Sequence, residues 1–283
     1  MSKVAIIGAG DLGGAAAQAL ASRDRVRRIV IVDSAAGVAA GKALDLQQSG
    51  AVDGFHTRLT GTGDLDAAIG ATACILADRA GAPDDEWQGE EGLSMLVRLL
   101  PYLAGAPIVF AGASQAKLMH HAAREAGAPR ERLIGSAPDA FGAAARAIVA
   151  LEAGCSPAEV ALAVLGAPPS LVIPWSEASI GGYALERVLS QVQLAQVEAR
   201  AARLWPPGPI ALGAAAAQAA EAIVTSSRRT FNALTVLGGE FGVKDRIGAL
   251  PVRLSRGGIA AVRVPALNTR ERVRLETSLT ISP

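Results

Sequence analysis

The stretch Val4-Ala5-Ile6-Ile7-Gly8-Ala9-Gly10-Asp11-Leu12-Gly13 decides the fold. Its first four residues are a short apolar run, the pattern of a strand buried on both faces. A GxGxxG follows, and then an Ala-rich segment over residues 15–22 with high helix propensity. Alone, the glycine pattern means little in a chain with 31 glycines. Between a buried strand and a helix, in a unit of about 30 residues that ends in an acid, it gains meaning. Gly8 permits the tight turn, Gly10 lets backbone approach a pyrophosphate, and Gly13 lets helix pack closely on strand. The helix start adds free N–H groups and the positive end of its dipole. Gly8, Gly10, Asp11, Leu12 and Gly13 are therefore candidate cofactor-binding residues. Asp33 lies twenty residues after Gly13, at the end of a second apolar run over residues 28–32. A carboxylate there accepts hydrogen bonds from the ribose hydroxyls of an adenosine and repels a 2′-phosphate, which predicts NAD over NADP.

Outward from this unit, apolar runs at residues 57–60, 73–77, 107–111 and 132–135 read as further strands. Residues 37–48, 93–103 and 117–126 read as helices between them. This alternation predicts an α/β fold with a doubly wound parallel sheet, a Rossmann domain over residues 1–136. The rhythm then changes. Residues 140–152, 184–204 and 214–228 read as helices, residues 160–165 as a strand, residues 232–264 as antiparallel strands with glycine-pair turns, and residues 269–278 as a last helix. Residues 137–283 are expected to form an α+β domain serving substrate or oligomerisation.

Composition narrows the partners. The net charge is +1, which gives no electrostatic footprint for nucleic acid or an anionic membrane. The apolar stretches are too short to cross a bilayer. The N-terminus runs directly into a strand with no signal peptide, so a cytoplasmic protein is expected. Of the two cysteines, Cys74 sits in an apolar run and reads as a small core residue. No His or Cys pair has metal-ligand spacing.

Three strings carry a resemblance to a known family: the glycine loop; Val32-Asp33 followed by Gly41-Lys42-Ala43-Leu44-Asp45-Leu46 and Thr60-Gly61-Thr62; and Gly239-Glu240-Phe241-Gly242-Val243-Lys244-Asp245 with Pro251-Val252 and Gly257-Gly258. In this order they resemble the lactate/malate dehydrogenase family, in particular its bacterial malate dehydrogenases, over nearly the whole chain. The resemblance implies an NAD domain followed by a substrate domain in a homodimer or homotetramer. It also implies hydride transfer between nicotinamide and a 2-hydroxy or 2-oxo acid. That chemistry needs a proton-shuttling His, an Asp to orient it, and arginines to clamp carboxylates.

The chain departs from the pattern at each of these places. The His position in Leu165-Gly166-Ala167-Pro168-Pro169-Ser170 is Pro168, which has no titratable group. The positions of the orienting Asp and a substrate Arg are Phe141 and Ala144. Asp139 is two residues off, about 160° away round a helix. The mobile loop, residues 78–91, keeps only Pro83 in place and carries six acids against Arg79. A like charge at 4 Å near a surface costs about 4 kcal/mol, so a dicarboxylate would be repelled there. An Asn beside the nicotinamide is replaced in Gly112-Ala113-Ser114, and a Thr-Ala-Gly near the cofactor reads Leu76-Ala77-Asp78. An Asp beside a pyrophosphate weakens binding unless it turns away.

No catalytic residue is therefore assigned, and three readings stand open. One is an NAD-binding pseudoenzyme that senses the cofactor or partners another subunit. Another is an active oxidoreductase on an unidentified substrate with a relocated base, for which His120 and His121 are the candidates. The last is a structural paralogue that has lost the cofactor too, which Asp78 pointing into the pyrophosphate site would favour. Trp87 either packs the loop over the cleft or covers apolar surface. The acids Asp84, Asp85, Glu86, Glu90 and Glu91 read as a solvated face or as a site for a cationic ligand.

Overall fold

The apolar runs of the first half lie side by side because each must bury both faces. The computed structural model describes residues 2–81 and 85–281. Strands β1 (Lys3–Ile7), β2 (Arg28–Val32), β3 (Arg58–Thr62), β4 (Ala73–Leu76), β5 (Ile108–Phe110) and β6 (Leu133–Gly135) alternate with helices α1 (Asp11–Ala21), α2 (Ala36–Asp53), α3 (Gly89–Leu103) and α4 (Ala116–Arg124). The six strands pair in parallel in the order β6-β5-β4-β1-β2-β3. Their carboxyl ends form one edge of the sheet, with the order reversing between β1 and β4. That reversal is where an open α/β sheet leaves a crevice.

The second half contains α5 (Ala137–Ala153), β7 (Val160–Ala161), β8 (Ser179–Ile180), β9 (Tyr183–Ala184), α6 (Leu185–Val188), α7 (Gln191–Ala201), α8 (Pro209–Thr225), β10 (Thr230–Gly238), β11 (Lys244–Ser255), β12 (Gly258–Val262) and α9 (Thr269–Ile281). Strands β7 to β9 form a small antiparallel sheet, while β10 to β12 extend the main one to nine strands. The join is tight: β10 runs antiparallel to β6 with Leu234 opposite Gly135, where an added Cβ would meet the Leu234 side chain at 2.7 Å.

Two expectations are corrected. The strand expected over residues 160–165 keeps only its first two residues, because the Asn232 side-chain oxygen takes the Val164 N–H and Leu165 turns to bridge Val172. The helix expected over residues 184–204 is two helices. Ser190 restarts it with a capping box: the Gln193 N–H donates to the Ser190 hydroxyl at 3.4 Å, and the Ser190 N–H donates to the Gln193 side chain at 3.0 Å.

Helix α8 carries the second half onto the first. Its Ala-rich face lies on the Ala-rich face of α1, where a Cβ at Gly213 would stand 2.7 Å from both the Ala15 Cβ and the Ala16 backbone nitrogen. Small residues let the two helices approach closely, directly behind the glycine loop. Among the described residues, no helix is long and apolar enough to cross a membrane.

Candidate functional site

The glycine loop leaves β1 at the carboxyl edge of the sheet. Gly8 holds φ at +116° and donates its N–H to Val32 at 2.8 Å. A Cβ there would lie 2.0 Å from the Asp78 carbonyl oxygen, and one at Gly13 would lie 2.2 Å from the Gly8 carbonyl oxygen. Leu12 is buried in the core, and Asp11 is exposed at the first position of α1. The Lys42 ammonium, from the Gly41-Lys42 string, donates to the Gly10 carbonyl at 2.7 Å.

The space before the loop is taken by Asp78. Its carboxylate accepts the Leu12 N–H at 3.0 Å and the Gly13 N–H at 2.8 Å, and its carbonyl accepts the Gly10 N–H at 3.2 Å. The cradle left by the missing Cβ of Gly10 holds the Asp78 carboxylate, 2.3 Å from where that Cβ would be. Asp33 is similarly committed. One carboxylate oxygen accepts from Ala9 at 2.8 Å and Ala80 at 2.9 Å, the other from Ala35 at 2.9 Å, and the residue is 3% exposed. The Asp33 oxygens and the glycine-loop amides expected to meet a cofactor are thus each bonded within the chain. A dinucleotide does not fit this arrangement while Asp78 stays in place.

Of the other described acids of the loop, Asp85 and Glu86 are half-buried, while Glu90 and Glu91 are exposed. Arg79 pairs with Asp85 and Glu91 and lies 5.1 Å over the Trp87 ring. The Asp85 hydrogen bond, reinforced by Glu91 against some burial, holds the guanidinium pKa above its ordinary value. Trp87 packs against the buried cluster of β4, α3 and α4, so it covers apolar surface. Glu86 accepts N–H bonds from Ala113 at 2.9 Å and Ser114 at 2.8 Å, capping the end of β5. Pro83 and Asp84 lie outside the described residues.

Pro168 is half-buried, with Ala167 buried before it and Ser170 exposed after it. The segment is pinned by Ser278 of α9, whose hydroxyl accepts the Ala167 N–H at 2.8 Å and donates to the Ser170 carbonyl at 2.6 Å. No sequence motif signalled Ser278. The Phe141 ring meets Trp205 edge-on at 6.2 Å between centroids. A cavity of about 640 Å³ beside it is lined by Phe141, Leu171, Ile173, Trp175 and Val273, with Glu198 and Arg274 as its charged members. Asp139 points to β10, accepting the Asn232 N–H at 3.3 Å and lying 3.7 Å from Arg229.

None of the three histidines stands in for the missing one. His56 precedes β3 and pairs with Asp24 at 3.1 Å. His120 meets the Asp245 carbonyl at 3.1 Å, where β11 begins, and His121 pairs with Glu125 on the exposed side of α4. β11 begins beside the residues that lead into β6: Arg130 bonds Val236 and Glu240 there. His56 and His120 thus lie at the amino edge of the parallel strands, opposite the glycine loop. The relocated base expected of His120 or His121 has no place in the cleft. Among the described residues, no group of His, Cys, Asp and Glu is placed to hold a metal ion.

Residues 2–91 match the family model described as lactate/malate dehydrogenase, NAD binding domain. The chain is 30% identical over 298 residues to a malate dehydrogenase of Thioalkalivibrio sulfidiphilus, covering 99% of this chain and 96% of that one. It is 28% identical over 294 residues to a malate dehydrogenase of Salinibacter ruber, covering 98% and 93%. The 1.55 Å structure of malate dehydrogenase from Salinibacter ruber superposes with a TM-score of 0.87 at 26% identity over 98% of this chain and 94% of that one. The fold is also shared with a lactate dehydrogenase of Cryptosporidium parvum complexed with lactic acid and nicotinamide adenine dinucleotide, at a TM-score of 0.90 and 22% identity over 99% and 95%.

Proposed function

The chain belongs to the lactate/malate dehydrogenase family, and from that premise we propose that it is a member without the 2-hydroxy-acid dehydrogenase chemistry. NAD is the cofactor of the domain type that residues 2–91 match. What supports the loss of chemistry is Pro168 at the proton-shuttle position, with no histidine on the cleft side of the sheet. Hydride transfer leaves a hydroxyl proton that a positioned base must take, and losing that base costs roughly 10²–10⁴ in rate. Phe141 at the orienting position packs on Trp205, so a histidine placed at Pro168 would also lack its partner. The only described arginine of the mobile loop, Arg79, is spent on Asp85 and Glu91 and is not free to clamp a carboxylate. The protein then serves through its fold, as a subunit in a homodimer or homotetramer of the kind the family implies.

The test is NADH absorbance with purified protein and oxaloacetate, then pyruvate. The expected result is no oxidation beyond the buffer rate, for wild type and for Pro168→His alike. Wild-type turnover within the ordinary enzyme range of about 1–10³ s⁻¹ would overturn the reading.

A further inference from the structure

We propose that Asp78 is an internal surrogate for the dinucleotide pyrophosphate, so that its carboxylate decides whether the glycine loop accepts a cofactor. The inference rests on the family reading above. A glycine loop at a helix start is an anion site for two physical reasons: its amides point outward unpaired, and its glycines let the anion come close. Here both features are used by one side chain. The Leu12 and Gly13 amides each donate to a different Asp78 oxygen, and Asp78 fills the Gly10 cradle.

The carboxylate is also held from behind. Asp78 directly follows Ala77, whose N–H donates to Ile7 at 2.9 Å, so the backbone prolongs the β1–β4 ladder. Asp78 is also bridged to Glu86 across the loop and is 3% exposed. Two residues on, the Ala80 N–H donates to Asp33, so the same turn that seats Asp78 covers the ribose acceptor. One loop thus closes both anchoring points. A dinucleotide must lift Asp78 from two amides and then bring its own charge beside it. Its affinity is reduced by the fraction of molecules in which the loop is open.

The test is fluorescence titration of the full chain with NADH, comparing wild type with Asp78→Ala and Asp78→Asn, each first checked by circular dichroism. Asp78→Ala frees both amides. Asp78→Asn keeps the volume and one acceptor but removes the charge, and it carries the test if the alanine variant does not fold. The expected result is NADH binding at least about tenfold tighter in the variants than in wild type, equivalent to about 1.4 kcal/mol. Equal affinity in wild type and folded variant overturns the proposal. The oxaloacetate assay on the same samples separates the two readings. Tight wild-type binding without turnover overturns the role of Asp78 and leaves the proposed loss of chemistry standing. Turnover gained only by the variants supports Asp78 and overturns that loss.

Discussion

Three acids close the carboxyl edge of the sheet by giving their oxygens to backbone amides: Asp33 to three, Asp78 to two and Glu86 to two. A carboxylate buried without such donors would be costly, and so would the amides without an acceptor. Asp33 tests this most directly, since its three donors come from three separate turns. Asp33→Ala leaves the Ala9, Ala35 and Ala80 amides without that acceptor and is expected to lower stability by about 3 kcal/mol, from roughly 1–3 kcal/mol for a buried donor left unmade. Asp33→Asn, whose amide oxygen still accepts, should recover part of the loss. Urea unfolding measures both, and a change below about 0.5 kcal/mol for the alanine variant would show that water replaces the carboxylate. The spacing from Gly13 made Asp33 legible as an acceptor. It could not show which donors Asp33 serves, because the Ala80 amide arrives from a loop 47 residues away.

At the scale of elements, the glycine loop is only as rigid as the helix behind it, and α1 is held by α8. The contact is made of Ala side chains around Gly213, and a larger residue there meets backbone at 2.7 Å. Gly213→Leu is expected to push the helices apart and cost about 1–3 kcal/mol or more, the usual range for overpacking, read as a drop in thermal midpoint. An unchanged midpoint would mean that the helices slide without loss. Ala-rich periodicity announced both helices but not that they meet, since alanine faces look alike and give no register. The break at Ser190 was legible in principle from Ser190-x-x-Gln193, but the apolar positions on either side masked it. The Gly239-to-Asp245 string, which helped carry the family resemblance, acts here as a turn lock. Burial opposes ionisation of Glu240, but bonds from its own backbone and the Gly238 amide, and then Arg130, outweigh it and leave its carboxyl below the usual range.

Taken whole, the molecule divides in sequence but not in its sheet. Helix α5 starts at Ala137, directly after the last strand of the parallel set. Yet β10 continues the parallel sheet beyond β6, and one buried cluster joins α1, β1, β2, β4 and β5 with α8, β10, β11 and α9. Alternation of elements shows that strands of the first half pair with one another. It cannot show that a later antiparallel strand completes the same sheet, because that pairing joins residues about a hundred apart. The energetic consequence is that neither half can open without exposing the other: separating them strips α8 from α1 and uncovers the edge of β6. Urea unfolding is therefore expected to be a single transition, although a chain of this length with two topological halves would ordinarily be a candidate for two. Tryptophan fluorescence reports both sides, Trp87 from the first half and Trp175 and Trp205 from the second, while far-ultraviolet circular dichroism reports all helices. The two probes should give the same midpoint. Were fluorescence to change at lower urea than dichroism, with a plateau between, the two halves would have to be held by contacts weaker than the β6–β10 and α1–α8 joins, and the argument from the shared core would fail.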